Sequence, residues 1–158
     1  MRPIFILSCA VAIVGCAKSE NKPADTTPAA ATPAPPPAPP ALKLSDVAGK
    51  WNVKGMSATS DSTLVTYLFT ATADTTGWSI KFPNRAKPVV VHVVSVAGDS
   101  VVIDAGPFPS VLRKGVTVRT RGALRLQDGK LVGTTVAHYS VKTADSVRTI
   151  RMEGTKAP

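Results

Sequence analysis

Beyond residue 16 the 158-residue chain has no cysteine, because its only two, Cys9 and Cys16, stand near the start. A disulfide within residues 17–158, a thiolate metal site and a cysteine nucleophile are thereby excluded. Histidine is equally scarce, with only His92 and His138. Neither belongs to an H-x-H or H-E-x-x-H pattern, and a zinc site needs a third ligand, for which Asp99 and Asp104 are the nearest candidates. A histidine on a half-buried strand is the simpler reading of each. No G-x-S-x-G and no glycine-rich phosphate loop occurs, and no pair of carboxylates stands out for acid–base work. No catalytic residue, cofactor or metal is therefore expected. Aromatic residues make up only 5% of the chain, so few rings are available for nucleobases to stack on. Nucleic acid is not expected as a partner, even at a net charge of +9.

The sequence also lacks an apolar run long enough to cross a bilayer. Residues 4–14 are uncharged and interrupted only by Ser8 and Cys9. A helix of that length covers about 16 Å at 1.5 Å per residue, against about 30 Å of hydrocarbon. Preceded by Arg2, the run reads as the apolar region of a signal peptide spanning residues 1–15. It ends in Ile13-Val14-Gly15-Cys16, which resembles the lipobox of bacterial lipoproteins. An ordinary secretory signal with a chance cysteine is the alternative. The resemblance implies cleavage between Gly15 and Cys16, loss of Cys9, and acylation of the Cys16 sulfur and the new amino group with palmitate-type chains. Two or three such chains give a stable membrane anchor where one does not. In some bacteria an Asp after the cysteine retains a lipoprotein in the inner membrane; here Ala17 follows. The resemblance thus places the protein in the cell envelope, at the outer membrane rather than the inner.

Residues 16–41 join this anchor to the rest of the chain. Eight prolines lie between residues 23 and 40, with no aromatic or large aliphatic residue among them. Such a segment buries too little apolar surface to offset its ordering entropy and is expected to be a disordered tether. In polyproline II form, residues 18–41 reach roughly 70 Å at about 3.1 Å each. A ligand role for Pro35-Pro36-Pro37 is the rival reading. Three of the nineteen basic and two of the ten acidic residues precede residue 42, so +8 of the +9 belongs to residues 42–158. That stretch is long enough for one core.

Within it, apolar residues recur with a period of two. Eight strands are expected, at 51–56, 64–72, 77–82, 89–96, 100–105, 116–126, 130–139 and 146–153. The 116–126 segment is the clearest, with Val116, Val118, Thr120, Gly122, Leu124 and Leu126 on one face and Arg119, Arg121 and Arg125 on the other. The 77–82 segment puts Trp78, Ile80 and Phe82 together; the 64–72 segment puts Leu64, Thr66 and Leu68 on one face and Val65, Tyr67 and Phe69 on the other, and the 89–96 segment is apolar on both faces. Turns are short, and Asp128-Gly129 is a type I′ hairpin signal because both central residues of that turn need positive φ. A helical turn is expected at residues 44–49, with Ser45 as N-cap. Short turns between successive strands make an antiparallel meander. The fold class is all-β: an eight-stranded up-and-down barrel, closed or partly open, or else a sandwich. Pro88 and the GPFPS stretch from residue 106 are where the ladder is expected to break.

A helical turn followed by Gly49-Lys50-Trp51 resembles the Gly-x-Trp that opens the first strand of lipocalins. That resemblance implies a barrel closed at one end by Trp51, with an Arg of the last strand, Arg148 or Arg151, stacked across it. It also implies an interior that accepts a small apolar ligand, such as a lipid or fatty acid. Thr66, Thr120, Gly122 and Gly133 are expected to leave room there, with Trp51, Tyr67, Phe69 and Trp78 able to fill it. The 106–115 connection carries Phe108, Val111 and Leu112, which either form a lid over the mouth or tuck into the core. Arg119, Arg121 and Arg125 supply the competing reading: a basic strand face for an anionic envelope polymer or lipid surface, or simply a solvated face.

Overall fold

The structure is a computed structural model that describes residues 41–158; the expected signal peptide, the expected cleavage site at Gly15 and Cys16, and the expected tether as far as residue 40 lie outside the described residues. The chain forms α1 (Leu44–Val47), β1 (Gly49–Ser57), β2 (Thr63–Ala71), β3 (Ser79–Lys81), β4 (Val89–Ala97), β5 (Ser100–Pro109), β6 (Thr117–Gln127), β7 (Lys130–Tyr139) and β8 (Val147–Lys156). Each strand pairs antiparallel with the next, and β8 pairs with β1, from Trp51↔Lys156 to Ser57↔Ile150. The sheet is therefore a closed eight-stranded barrel, which leaves no strand at a sheet edge.

Alternation sets which side chains face in. On β6, Val118, Gly122 and Leu124 are buried while Arg119, Arg121 and Arg125 are exposed. The ambiguous β2 turns Val65, Tyr67, Phe69 and Ala71 inward, because Trp51 and Val53 on β1 are buried opposite Phe69 and Tyr67. Trp78, Ile80 and Phe82 are all buried, as their spacing requires. Asp128 and Gly129 adopt φ of 51° and 73°, the positive pair that a type I′ turn needs. Core residues run from Val47 to Met152, so residues 42–158 hold a complete core and the whole sheet.

Several boundaries differ from the sequence-based expectation. Helix α1 is capped at Lys43, not Ser45: the Lys43 amide donates to Asp46 Oδ2 at 3.0 Å. Strand β3 keeps only three residues, and its register with β4 is two pairs long, beside Pro88. The largest difference is at β5, which runs on to Pro109 through a bulge between Ala105 and Phe108. Gly106 makes that bulge: its φ is 110°, and a Cβ there would lie 2.8 Å from the Val118 carbonyl. Phe108 is thus a buried strand residue rather than part of a loop.

Candidate functional site: the barrel interior and its mouth

The two ends of the barrel are built differently. At one end α1 lies across the opening. Trp51 is buried there, its Nε1–H donates to the Val47 carbonyl at 2.8 Å, and Leu42 and Leu44 pack on the core. The cation over the Trp51 ring is Lys156, with Nζ 5.5 Å from the centroid. The expected partners, Arg148 and Arg151, are elsewhere. Arg151 pairs in register with Met56 and points outward to Ser57, Ser60 and Asp61, tying down the β1–β2 loop. Arg148 lies opposite Ala137, roughly 26 Å along β8 from Lys156 at about 3.3 Å per residue. The basic residue beside Trp51 is therefore Lys156 rather than Arg148 or Arg151.

The other end is the mouth, formed by the β1–β2, β3–β4, β5–β6 and β7–β8 loops. Beneath it lies a cavity of about 70 Å³. Large residues line one wall: Tyr67, Phe69, Ile80, Phe82 and Phe108. Facing them are Ala105, Thr120, Gly122, Thr135 and Ala137, whose small size leaves the space. Of the residues expected to make room, Thr120 and Gly122 do so. Thr66 is exposed on the outer surface, and Gly133 makes none, since a Cβ there would collide with the Ala123 carbonyl. Trp51 and Trp78 lie outside the lining, whereas Tyr67 and Phe69 belong to it. Among the described residues, no charged side chain lines this cavity.

The cavity reaches the β5–β6 loop, where Ser110, Val111 and Leu112 line it. The same three residues line an outer groove of about 480 Å³, together with Leu64, Phe82 and Arg85. The loop thus separates interior from groove. Val111 is exposed, Leu112 half-buried, and both stand where a lid would; Phe108 forms the wall below. Two arginines hold the loop. Arg85 Nη1–H donates to the Pro109 carbonyl at 2.9 Å, and its guanidinium lies 5.7 Å from the Phe108 ring centroid. Arg113 sits 4.3 Å above the Tyr139 ring and bonds Asp145 of the β7–β8 loop at 2.7 Å. Little in the sequence marks this latch: Arg113 stands beside Lys114, a few residues before the arginines of β6.

Arg113→Ala is expected to loosen the mouth without unfolding the barrel. The lost ring contact is worth about 0.5–1 kcal/mol. Hydrogen exchange should quicken at residues 110–116 and stay slow at β6 and β7; uniform protection in the variant would show that the pair does not hold the loop. The Thr143 hydroxyl, the Asp145 backbone and Arg113 together hold the Asp145 carboxyl below its ordinary 3.8. A depressed pKa adds stability that is present above the unfolded value and lost as pH falls through the folded one. The latch is therefore expected to be constant across neutral pH and to weaken only in strong acid.

On the outside, Arg119, Arg121 and Arg125 share the exposed face of β6. Asp104 approaches Arg121 at 3.7 Å, and Arg119, Arg121 and His138 border a shallow groove beside Gly106. His92 and His138 are both exposed on outer faces, not half-buried. Among the described residues no group of three His, Cys, Asp or Glu side chains is placed to hold a metal ion, and no helix is long and apolar enough to cross a membrane. Comparison with protein-family models, curated proteins and solved structures finds no match to this chain.

Proposed function

We propose that this chain is a lipid-anchored protein of the cell envelope, at the outer membrane, whose barrel takes up a small apolar molecule or the apolar end of a longer one. The observation that carries the reading is the apolar-lined cavity under a single loop in an otherwise closed barrel. Protein interiors are close-packed, so a cavity reaching a mouth is a departure from the ordinary core. One water needs about 10–15 Å³ of such space, so 70 Å³ matches about five or six non-hydrogen atoms. That is far below the roughly 300–1,000 Å³ that engulf a drug-sized ligand. A whole lipid or fatty acid does not fit inside; a longer molecule would extend into the outer groove. Likeness to lipocalins in strand number, meander order and a tryptophan under a basic residue supports the reading by analogy of fold. The lipobox-like Ile13-Val14-Gly15-Cys16 and the proline-rich tether support the anchor.

Native mass spectrometry of residues 42–158 tests the uptake. The domain is expected to carry a small apolar molecule after purification, or to take one up from a lipid extract. A clean apo mass after both treatments would reject the reading.

One observation favours a second reading: the three exposed arginines of β6 lie on one strand face. Here the domain would dock on an anionic envelope polymer or on lipid headgroups. Reversal of Arg119, Arg121 and Arg125 to Glu is expected, on this reading, to release the domain from phosphatidylglycerol vesicles in low salt. Unchanged retention would remove it.

A further inference from the structure

Two polar side chains meet inside the mostly apolar lumen. Tyr67 reaches across from β2 so that its hydroxyl donates to Met152 Sδ on β8 at 2.9 Å. Thr135 on β7 donates its Oγ1–H to the same sulfur, also at 2.9 Å. Both hydroxyls line the cavity, and both are spent on a thioether, a weak uncharged acceptor. Two donors therefore converge on one point in a mostly apolar space, whose other lining hydroxyls belong to Ser110, Thr120 and Tyr139. An oxygen that accepts hydrogen bonds would satisfy them better than sulfur does. Methionine is flexible enough to yield that position without moving the backbone.

The same surroundings limit the charge of the guest. With no charged residue in the lining, an ionised carboxylate or phosphate would be buried without a partner, which is strongly disfavoured. Burial also pushes the Tyr67 phenol above its ordinary pKa, so it remains a proton donor at neutral pH.

We propose that Tyr67 and Thr135 form a polar handle inside the barrel, and that the ligand is a neutral molecule carrying one hydrogen-bond-accepting oxygen, such as a ketone, ester, ether or alcohol, on a short apolar chain. The proposal rests on the reading of the lumen as a binding site. On binding, the two hydroxyls turn from Met152 Sδ to the ligand oxygen, and the chain lies along the aromatic wall of Phe69, Phe82 and Phe108.

Three probes of six to eight non-hydrogen atoms, which fill the cavity and reach at most an atom or two toward the outer groove, test it on residues 42–158: n-hexane, hexan-2-one and hexanoate. Hexan-2-one is expected to bind about five- to tenfold more tightly than hexane, the worth of one buried hydrogen bond. Hexanoate is expected to bind only as its neutral acid, so its affinity falls as pH rises through the acid's own pKa. The double variant Tyr67→Phe with Thr135→Val should lose the preference for the ketone and keep hexane affinity within about twofold, the hexane arm reading shape alone. If that variant does not fold, Thr135→Val alone is expected to at least halve the preference. Equal binding of ketone and hexane by the parent, or an unchanged preference in the variants, would overturn the handle and leave the lumen reading standing. Binding of none of the three would overturn both.

Discussion

Replacing Trp51 by alanine is expected to cost about 3–5 kcal/mol, the range for deleting a buried aromatic side chain. Domains of this size have only about 5–15 kcal/mol in total, so the variant should lie close to unfolding. The size of the effect follows from what Trp51 joins. Its ring is buried against the core where β1 meets β8, and Lys156 lies over it. Its Nε1–H holds the Val47 carbonyl of α1 at 2.8 Å. Removing the ring would take the helix off the barrel end and open the seam that closes the sheet. Trp51→Phe separates the parts: it keeps most of the apolar surface and leaves the Val47 carbonyl without its partner, at about 1–3 kcal/mol. Lys156→Ala should cost no more than about 1 kcal/mol, since Lys156 is exposed. Urea denaturation of residues 42–158 measures all three. A Trp51→Ala midpoint within error of the parent would show that this end does not hold the barrel closed.

Palmitate incorporation is expected to fall to background in Cys16→Ser. The thioether of a lipoprotein anchor needs a thiol, and a serine hydroxyl does not substitute for it. Cys9 offers no second site, because it precedes the expected cleavage point within the apolar run. Two or three acyl chains anchor stably, whereas a single chain binds membranes only marginally, so the effect on the anchor should be all or none. Metabolic labelling with radioactive palmitate reads it directly. Labelling of the variant equal to the parent would remove the lipid anchor from the account and leave the barrel unaffected.

Much of the fold was legible because a two-residue period is a local signal. The β6 alternation of valine and leucine with arginine, and the Asp128-Gly129 turn, each determine their own geometry within a few residues. The errors fall where geometry depends on distant partners. GPFPS reads locally as a loop, yet the Gly106 bulge carries β5 through Pro107 to Pro109 and buries Phe108, because β6 supplies the partner for the strand. Arg148 and Arg151 are the last-strand arginines that the resemblance to lipocalins offers Trp51. The partner is Lys156, near the end of the chain, because the β1–β8 register is a long-range property. The face of β2 that turns inward was open for the same reason, since Leu64 and Leu68 compete with Val65, Tyr67 and Phe69 until Trp51 and Val53 decide. The Tyr67–Thr135–Met152 cluster joins three strands and leaves no mark in sequence spacing.

The central claim is that a guest enters the barrel between the aromatic wall and the small residues of β5, β6 and β7. Nuclear Overhauser contacts between added hexan-2-one and methyl-labelled residues 42–158 test it most directly. The account predicts contacts to Ile103, Leu124, Ile150 and Met152, which line the cavity, and none to Val90 and Val96 on the outer surface. Contacts confined to the outer valines, or to the arginine face of β6, would contradict it.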